Sequence, residues 1–136
     1  MVFQDYKLLQ DRNLFENVAL PLHVMGFPSR EISSRVDEAI ELVGLEGKEN
    51  HLPEELSGGE QQRASLARAF IKEPDIILAD EPTGNLDPVA SFELVRLLET
   101  IHETGTTILM ASHNYNLIKG RGRPIFELKN GVLRIR

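Results

Sequence analysis

The spacing of hydrophobic positions changes near the middle of the chain. In the first half, apolar side chains recur every three or four residues, as they do along one face of an amphipathic helix. In the second half, short continuous apolar runs are bounded by polar residues, which is typical of strands buried on both faces of a parallel sheet. A helical first half and an alternation of strands and helices in the second half predict an α/β fold.

Two helices are predicted in the first half. The first covers 13–25, where Asn13 serves as the cap and Glu16 follows three positions later, although Pro21 argues against a helix in its second half. The second covers 29–43 and is the clearest amphipathic helix of the chain. Its apolar face consists of Ile32, Val36, Ala39, Ile40 and Val43.

The run Leu-Ser-Gly-Gly-Glu-Gln at 56–61 combines a helix start with a seat for a polyanion. Ser57 and Glu60 have the S-x-x-E spacing of a capping box. Gly58 and Gly59 leave the backbone bare, so that an anion can approach the amide groups at the helix N-terminus. An ordinary capped helix preceded by a glycine turn is the alternative interpretation.

The second half predicts strands joined by crossover helices. Its apolar runs end in polar residues, and Asp87-Pro88 suits a helix start because Asp caps the helix and Pro occupies its first position. From residue 60 onwards the predicted elements are a helix over about 60–72, a strand at 76–79, a helix from Asp87 to about Glu103, a strand at 106–111, a short helix at 114–119, and two strands at 125–128 and 132–135 joined by a turn at Asn130-Gly131.

Polar side chains follow the two apolar runs at the ends where a parallel sheet binds ligands. Asp80 and Glu81 end the first run, and His113 follows the second. A carboxylate there can hold Mg²⁺, its neighbour can deprotonate a water, and a histidine can hydrogen-bond a phosphate oxygen. We expect parallel strands to bring these three side chains close together. The alternative is a charged strand end in solvent with a structural or exposed histidine.

Composition excludes several classes of protein. The 136 residues carry a net charge of −6 and a pI of about 5.2, which argues against a nucleic-acid-binding surface. There are no cysteines, which excludes disulfides and thiolate metal sites. No apolar run reaches the roughly 18 residues that a membrane span needs, and the first residues lack the features of a signal peptide. Work at a membrane would therefore require a partner that holds the protein there.

The order and spacing of five short motifs resemble the ATP-binding-cassette (ABC) ATPase family over nearly the whole chain. The motifs are Gln4, the run at 56–61, the acidic strand end at 76–81, Asn85-Leu86-Asp87, and His113. In family terms they are similar to the Q-loop, the signature, Walker B with its catalytic Glu, the D-loop and the H-loop. Any one of these motifs alone would carry little weight, whereas their order along one chain identifies the family.

Two stretches resemble the cell-division branch of this family. They are residues 3–9, Phe-Gln-Asp-Tyr-Lys-Leu-Leu, and residues 78–87, Leu-Ala-Asp-Glu-Pro-Thr-Gly-Asn-Leu-Asp. The ATPases of lipoprotein release and macrolide export share much of the second stretch and remain alternatives. The triplet Ser112-His113-Asn114 departs from the Thr-His-Asp common in the family. It keeps the histidine and removes the carboxylate beside it.

The resemblance implies a P-loop NTPase (RecA-like) core with a parallel sheet and an ABC-type helical subdomain. The subdomain would cover about 11–72 and the core portion about 73–136, so that 1–136 is a partial ABC ATPase domain. Two such domains pair head to tail as a homodimer with ATP between them. An integral membrane subunit of the permease type is also implied, with the ATPase peripheral on the cytoplasmic face of the inner membrane. No nucleic acid partner is expected.

The resemblance also assigns roles to individual residues in ATP hydrolysis. Asp80 serves Mg²⁺, Gln4 senses Mg²⁺ and water, Glu81 is the general base, and His113 touches the γ-phosphate. Ser57 and Gly59 would contact the ATP bound to the opposite subunit. The residues assigned to cofactor binding are Ser57, Gly58, Gly59, Glu60 and Asp87.

A P-loop does not appear in the sequence. It requires G-x-x-x-x-G-K-[ST], and of the 10 glycines only Gly47 precedes a lysine, Lys48, which Glu49 follows. The likeness to the family begins at the Q-loop, so we expect an N-terminally incomplete sheet. We further expect that these 136 residues alone do not bind ATP with ordinary affinity. The strand that ends near His113 should expose an unpaired apolar edge.

Two other classes of protein are considered. DNA-maintenance ATPases carry a similar signature but insert a long coiled coil before it, and residues 29–43 show no sustained heptads. The second alternative is a non-catalytic module that docks a membrane subunit. The presence of Asp80, Glu81 and His113 argues against it, because a docking module has no use for these residues. In both cases we expect the membrane subunit to contact residues 6–27, chiefly at Tyr6, Leu8, Leu9 and Phe15. The alternative is that these side chains pack inside the helical subdomain.

Overall fold

The computed structural model of the chain describes residues 1–3 and 6–136, so Gln4 and Asp5 lie outside the described residues. A short 3₁₀ turn at Pro53–Glu55 precedes the third helix. The elements are β1 (Val2–Phe3), α1 (Leu14–Val24), α2 (Ser29–Leu42), α3 (Gly58–Phe70), β2 (Ile76–Asp80), α4 (Pro88–Glu103), β3 (Thr107–Ala111), α5 (Tyr115–Ile118), β4 (Phe126–Lys129) and β5 (Val132–Ile135). The predicted α/β order is confirmed.

Helices α1, α3 and α4 each begin after a residue whose side chain caps them, whereas α2 follows Pro28 without a side-chain cap. Asn13 accepts a hydrogen bond from the Glu16 amide at 2.8 Å, and the Glu16 carboxylate accepts one from the Asn13 amide at 3.2 Å. These bonds satisfy amide groups that have no partner within the helix. The helix predicted over 13–25 is confirmed, and the doubt that Pro21 raised about its second half is removed, because the helix continues to Val24. Burial of its apolar face, including Leu22, outweighs the loss of one backbone hydrogen bond.

Strands β1, β2 and β3 form a parallel sheet in that order, and α4 is the crossover between β2 and β3. The last residue of β2, Asp80, lies opposite Phe3 on one side and Ala111 on the other. The carboxyl ends of all three strands therefore meet at one edge of the sheet. Separately, β4 and β5 pair antiparallel through a turn in which Asn130 and Gly131 have φ values of 51° and 77°, as predicted from that dipeptide.

The prediction that β2 and β3 are buried on both faces is wrong. Ile77 and Ala79 are buried against α3 and α4, whereas Ile76 and Leu78 on the opposite side are 50% and 40% exposed. Leu109, which pairs with Leu78, is 56% exposed. We call Ile76, Leu78 and Leu109 the bare face. Within the described part of the chain, β3 pairs with β2 alone, as expected for the strand before His113.

Buried side chains form two clusters that share α3. The first lies among α1, α2 and α3, and the second between the sheet and helices α3 and α4. Helix α3 contributes Ala64 and Ala67 to the first cluster and Leu66 and Ala69 to the second. This double packing fixes the start of α3, which carries the 56–61 run, relative to the sheet. No helix among the described residues has the length and apolar character that a membrane crossing needs.

Candidate active site

Glu81 occupies the turn directly after β2, at the ligand-binding edge of the sheet. Its backbone is left-handed, with φ of 45°, a conformation that costs energy for a residue with a side chain. Two hydrogen bonds hold the turn, from the Glu81 amide to the Ala111 carbonyl at 2.8 Å and from the Gly84 amide to the Glu81 carbonyl at 3.1 Å. The neighbouring strand β3 thus directs the chain out of the sheet at this residue.

His113 pairs with the Glu81 carboxylate from the end of β3. Oε1 of Glu81 accepts a hydrogen bond from the His113 amide at 2.9 Å and lies 2.8 Å from Nδ1 of the His113 ring. Because a carboxylate has no proton to give, the ring donates through Nδ1, and in the neutral ring Nε2 then carries the lone pair. The predicted approach of Glu81 and His113 is confirmed.

Asp80 ends β2 on the bare face of the sheet and is exposed. It supplies one carboxylate at the strand end, and Mg²⁺ is usually bound by one or two carboxylates together with phosphate oxygens and waters. The donor set therefore fits Mg²⁺. Within residues 1–3 and 6–136, no group of three or more His, Cys, Asp or Glu side chains converges on a metal position. The second predicted Mg²⁺ residue, Gln4, lies outside the described residues.

The predicted capping box at the start of α3 is confirmed. The Ser57 hydroxyl accepts from the Glu60 amide at 3.1 Å, and the Glu60 carboxylate accepts from the Ser57 amide at 3.0 Å. The helix begins at Gly58, two residues earlier than predicted, and ends at Phe70. The first-turn amides of any helix have no partner inside the helix and can bind an anion, and here that of Glu60 is already bonded to Ser57.

Gly58 and Gly59 have a packing role that the sequence analysis missed. A Cβ atom at Gly58 would lie 2.8 Å from the hydroxyl of Tyr6, and one at Gly59 would lie 3.1 Å from the Cβ of Ala90. Any side chain at Gly58 would therefore displace Tyr6. The two glycines let the start of α3 approach the loop after β1 and the start of α4 closely, in addition to leaving the backbone bare.

Glu60 is held by a second partner besides Ser57. Its Oε2 contacts the ammonium group of Lys48, and the Glu60 side chain is only 15% exposed. The hydrogen bond from Lys48, helped by the one from the Ser57 backbone, lowers the pKa of Glu60 from its ordinary value of 4.5. The carboxylate is therefore ionised and paired at neutral pH.

Asp87 caps α4, as predicted. Its Oδ1 accepts a hydrogen bond from the Ala90 amide at 2.8 Å, and Pro88 is the first helical residue. The preceding residue, Leu86, lies 3.7 Å from the position that a Cβ of Gly58 would take. The Asn85-Leu86-Asp87 turn thus packs beside the start of α3 within the same chain.

Gln62 is the residue that the sequence analysis missed most clearly. It is fully buried, and its Nε2 donates to the Phe3 carbonyl at 2.8 Å and to the Pro82 carbonyl at 2.5 Å. It therefore ties α3 to the end of β1 and to the turn that follows Glu81. Its Oε1 has no partner among the described residues. The sequence signal that could have revealed Gln62 is a polar residue on the side of α3 that carries its apolar side chains.

The predicted site residues fall into two groups. Glu81 and His113 are in contact at the sheet edge, next to Asp80. Ser57, Gly58, Gly59 and Glu60 lie together at the start of α3, beside the turn that carries Asp87. Among the described residues, no hydrogen bond or ion pair joins one group to the other directly, and Gln62 is the link between their backbones.

Comparison with known proteins finds relatives of this chain in sequence and in structure. A sequence model of the ABC transporter family matches residues 1–84. The chain is similar to the "Cell division ATP-binding protein FtsE" of Mycobacterium tuberculosis, with 51% identity over 132 residues, and of Escherichia coli, with 47% over 133. These matches cover 97% and 98% of this chain but 57% and 60% of the relatives. The chain thus spans less than two thirds of their length.

Two solved structures share the fold. One is the dimeric ATP-binding cassette MJ0796 in a post-hydrolysis state bound to ADP and Pi, with a TM-score of 0.82 and 36% identity over 99% of this chain and 60% of that one. The other is cbiO1 of Clostridium perfringens, part of the ABC transporter complex cbiONQ, with a TM-score of 0.79 and 33% identity. That match covers 86% of this chain and 47% of the other.

Proposed function

This chain belongs to the ABC transporter family, and from that premise we propose that it forms part of the ATP-binding and ATP-hydrolysing subunit of a membrane ABC complex that acts in cell division. Relatives named as cell division ATP-binding proteins match nearly the whole chain at 45–51% identity. They support the cell-division branch over the branches of lipoprotein release and macrolide export.

The Glu81–His113 pair is the observation that carries the proposal. A general base must hold an ionised carboxylate in a fixed position next to the attacking water. Glu81 is held by its strained backbone and by two hydrogen bonds from His113. In the reaction, Glu81 takes a proton from the attacking water. The water oxygen bonds to the γ-phosphorus, and the bond from that phosphorus to the departing ADP oxygen breaks. The products are ADP and phosphate.

The neighbours of Glu81 have supporting roles in this proposal. Asp80 would hold Mg²⁺, with Gln4 as the second residue; Mg²⁺ bound there would neutralise phosphate charge. His113 orients the Glu81 carboxylate through Nδ1 and offers Nε2 to a γ-phosphate oxygen when that nitrogen is protonated. Positioning and charge dominate phosphoryl transfer, so the loss of any of these groups should slow hydrolysis strongly.

The group at the start of α3 serves the ATP of a second subunit. In a head-to-tail homodimer, Ser57, Gly58, Gly59, Glu60 and Asp87 of one subunit would face the nucleotide held by the other. The separation of this group from Glu81 within one chain supports such an arrangement. The similar cassette MJ0796 was solved as a dimer bound to ADP and Pi.

The proposed partner is an integral membrane subunit, an FtsX-like permease, with this chain peripheral on the cytoplasmic face of the inner membrane. Of the side chains considered for docking it, Leu8 is 8% exposed and belongs to the core of the helical half, against which Tyr6 and Phe15 also pack. Leu9 is 42% exposed. The docking surface in our proposal therefore includes Leu9 and excludes Leu8.

The test of this function joins the chain to a segment expected to carry the P-loop, which these 136 residues lack. In a chimera, the chain replaces the 132 matched residues of the M. tuberculosis relative, and ATP hydrolysis is measured with purified protein. We expect hydrolysis in the chimera and a loss of at least about 100-fold in kcat with Glu81→Gln, because a positioned base contributes 10²–10⁴-fold. Glu103→Gln, at the exposed end of α4, is the matched control and should leave kcat unchanged. A chimera without activity, or an active Glu81→Gln variant, would contradict the proposal.

A further inference from the structure

Glu60 poses an electrostatic problem for the function proposed above. It is the third residue of α3 and carries an ionised carboxylate within the turn whose amides would receive a phosphate group. An uncompensated carboxylate a few ångströms from a triphosphate would repel it, because like charges interact strongly near a protein surface. Something must cancel this charge for the seat to accept a polyanion.

Lys48 is in position to cancel it. Its ammonium group contacts Oε2 of Glu60, while Oε1 of the same carboxylate accepts from the Ser57 amide. Both oxygens of the Glu60 carboxylate thus accept hydrogen bonds from groups of the same chain. The lysine and the carboxylate together carry no net charge, which leaves the amides of the first helical turn as the dominant local field.

The backbone of the loop that carries Lys48 is held by hydrogen bonds, which fix the point from which the lysine side chain extends. The Lys48 amide donates to the Leu45 carbonyl at 3.1 Å, and the Lys48 carbonyl accepts from the His51 amide at 3.0 Å. Leu45 is 1% exposed and anchors the loop in the core. The same loop accepts backbone hydrogen bonds from the first residues of α1, at Glu49 and His51.

Helix α3 holds the loop from the other side. Nη1 of Arg63 donates to the Val43 carbonyl at 3.1 Å, one turn along the helix from Glu60. The start of α3 and the 43–51 loop therefore form one unit with two cross-links, Arg63 to Val43 and Lys48 to Glu60. The second link is the one that lies at the proposed phosphate seat.

We propose that Lys48 is a positioning residue of the ATP site: it neutralises Glu60 so that the turn at Ser57 can accept the phosphates of ATP held by a second subunit. This inference rests on the proposed function and deepens it. In this proposal Lys48 acts only by cancelling the charge of Glu60, so its effect on ATP binding requires the Glu60 carboxylate to be present. Lys48 need not touch the nucleotide.

The pair can be tested by removing its charges one at a time and together in the chimera described above. Lys48→Ala leaves Glu60 uncompensated, so we expect the KM for ATP to rise about fivefold to tenfold with kcat changed less than about twofold. Glu60→Gln keeps the capping box and removes the charge, so the chimera with this substitution is the reference for the double variant. Lys48→Ala/Glu60→Gln should have the same KM as the Glu60→Gln chimera, because no charge is left for Lys48 to compensate. Raising the salt concentration should reduce the effect of Lys48→Ala.

Lys72→Ala is the matched control, since it removes an exposed lysine just beyond the opposite end of α3. If the unmodified chimera hydrolyses ATP, the proposed function is upheld. If the KM for ATP of Lys48→Ala is then unchanged, the inference about Lys48 is overturned. A higher KM in the double variant than in Glu60→Gln would also overturn it, because that result assigns Lys48 a purely structural or direct role. An inactive unmodified chimera would overturn the proposed function and this inference with it.

Discussion

Glu81 shows at the scale of one residue how the proposed site is built. Its left-handed backbone turns the chain out of β2, and His113 holds the carboxylate with both its amide and its ring. Such strain persists only where surrounding contacts enforce it, and it concentrates at functional positions. The sequence could predict that Glu81 and His113 meet, because parallel strands end at the same edge. It could not predict the backbone strain, since glutamate has no preference for that conformation.

Glu60 should make the stability of the chain depend on pH. Its folded pKa lies below the ordinary value of 4.5, so its stabilising effect is complete above pH 4.5 and is lost as the pH falls through the folded pKa. We expect Glu60→Gln to unfold at lower urea concentration than the wild type at pH 7, with the difference disappearing in acid. Urea titrations of the 136-residue chain at several pH values measure this.

The neighbouring Glu55, exposed in the 3₁₀ turn, is a suitable comparison for that experiment. Among the described residues Glu55 contacts no lysine and accepts a hydrogen bond from the Leu52 amide, so Glu55→Gln is the matched substitution without an ion pair. An equal difference between wild type and Glu60→Gln at pH 7 and in acid would contradict the role assigned to the Lys48 pair.

Helices and strands were predictable from the sequence to different degrees. The caps at Asn13, Ser57 and Asp87 are local chemistry, so the starts of α1, α3 and α4 follow from two or three residues. The burial of β2 was not predictable in the same way. An apolar run shows that both faces of a strand are hydrophobic, but it does not show which other elements cover each face. The structure covers one face only.

The cap of α4 predicts a graded effect of substitution at Asp87. Asp87→Ala removes the acceptor of the Ala90 amide, and we expect a loss of about 1 kcal/mol in the free energy of unfolding. Asp87→Asn keeps an acceptor oxygen and should lose much less. Thermal denaturation of the two variants measures the difference. Equal stability of the Ala and Asn variants would show that the cap contributes nothing.

At the scale of the whole molecule, the described residues leave an apolar surface on the sheet. The bare face and the outer edge of β3 expose Ile76, Leu78 and Leu109 side by side. The sequence predicted the exposed edge from the missing P-loop region, and it missed the exposed face because that depends on contacts between distant segments. Contiguous apolar patches next to an unpaired strand edge favour association.

We therefore expect the 136-residue chain to self-associate through this surface. Leu109→Lys places a charge on the edge strand and should shift the chain towards monomer, as measured by sedimentation velocity over a range of concentrations. Val24→Lys is the control, because Val24 is 81% exposed on α1, away from the sheet. A monomeric wild type, or equal effects of the two substitutions, would contradict this expectation.

The central claim is that the group at Ser57 and the base Glu81 act on one ATP from opposite subunits. Mixing the inactive Ser57→Arg and Glu81→Gln forms of the chimera tests it most directly, with ATP hydrolysis as the measurement. Random pairing gives half mixed dimers, and each mixed dimer has one intact site, so we expect recovery of roughly a quarter of the unmodified activity. If both groups serve an ATP within one subunit, no mixed dimer contains an intact site. The mixture would then remain as inactive as its two components, and that result would contradict the account.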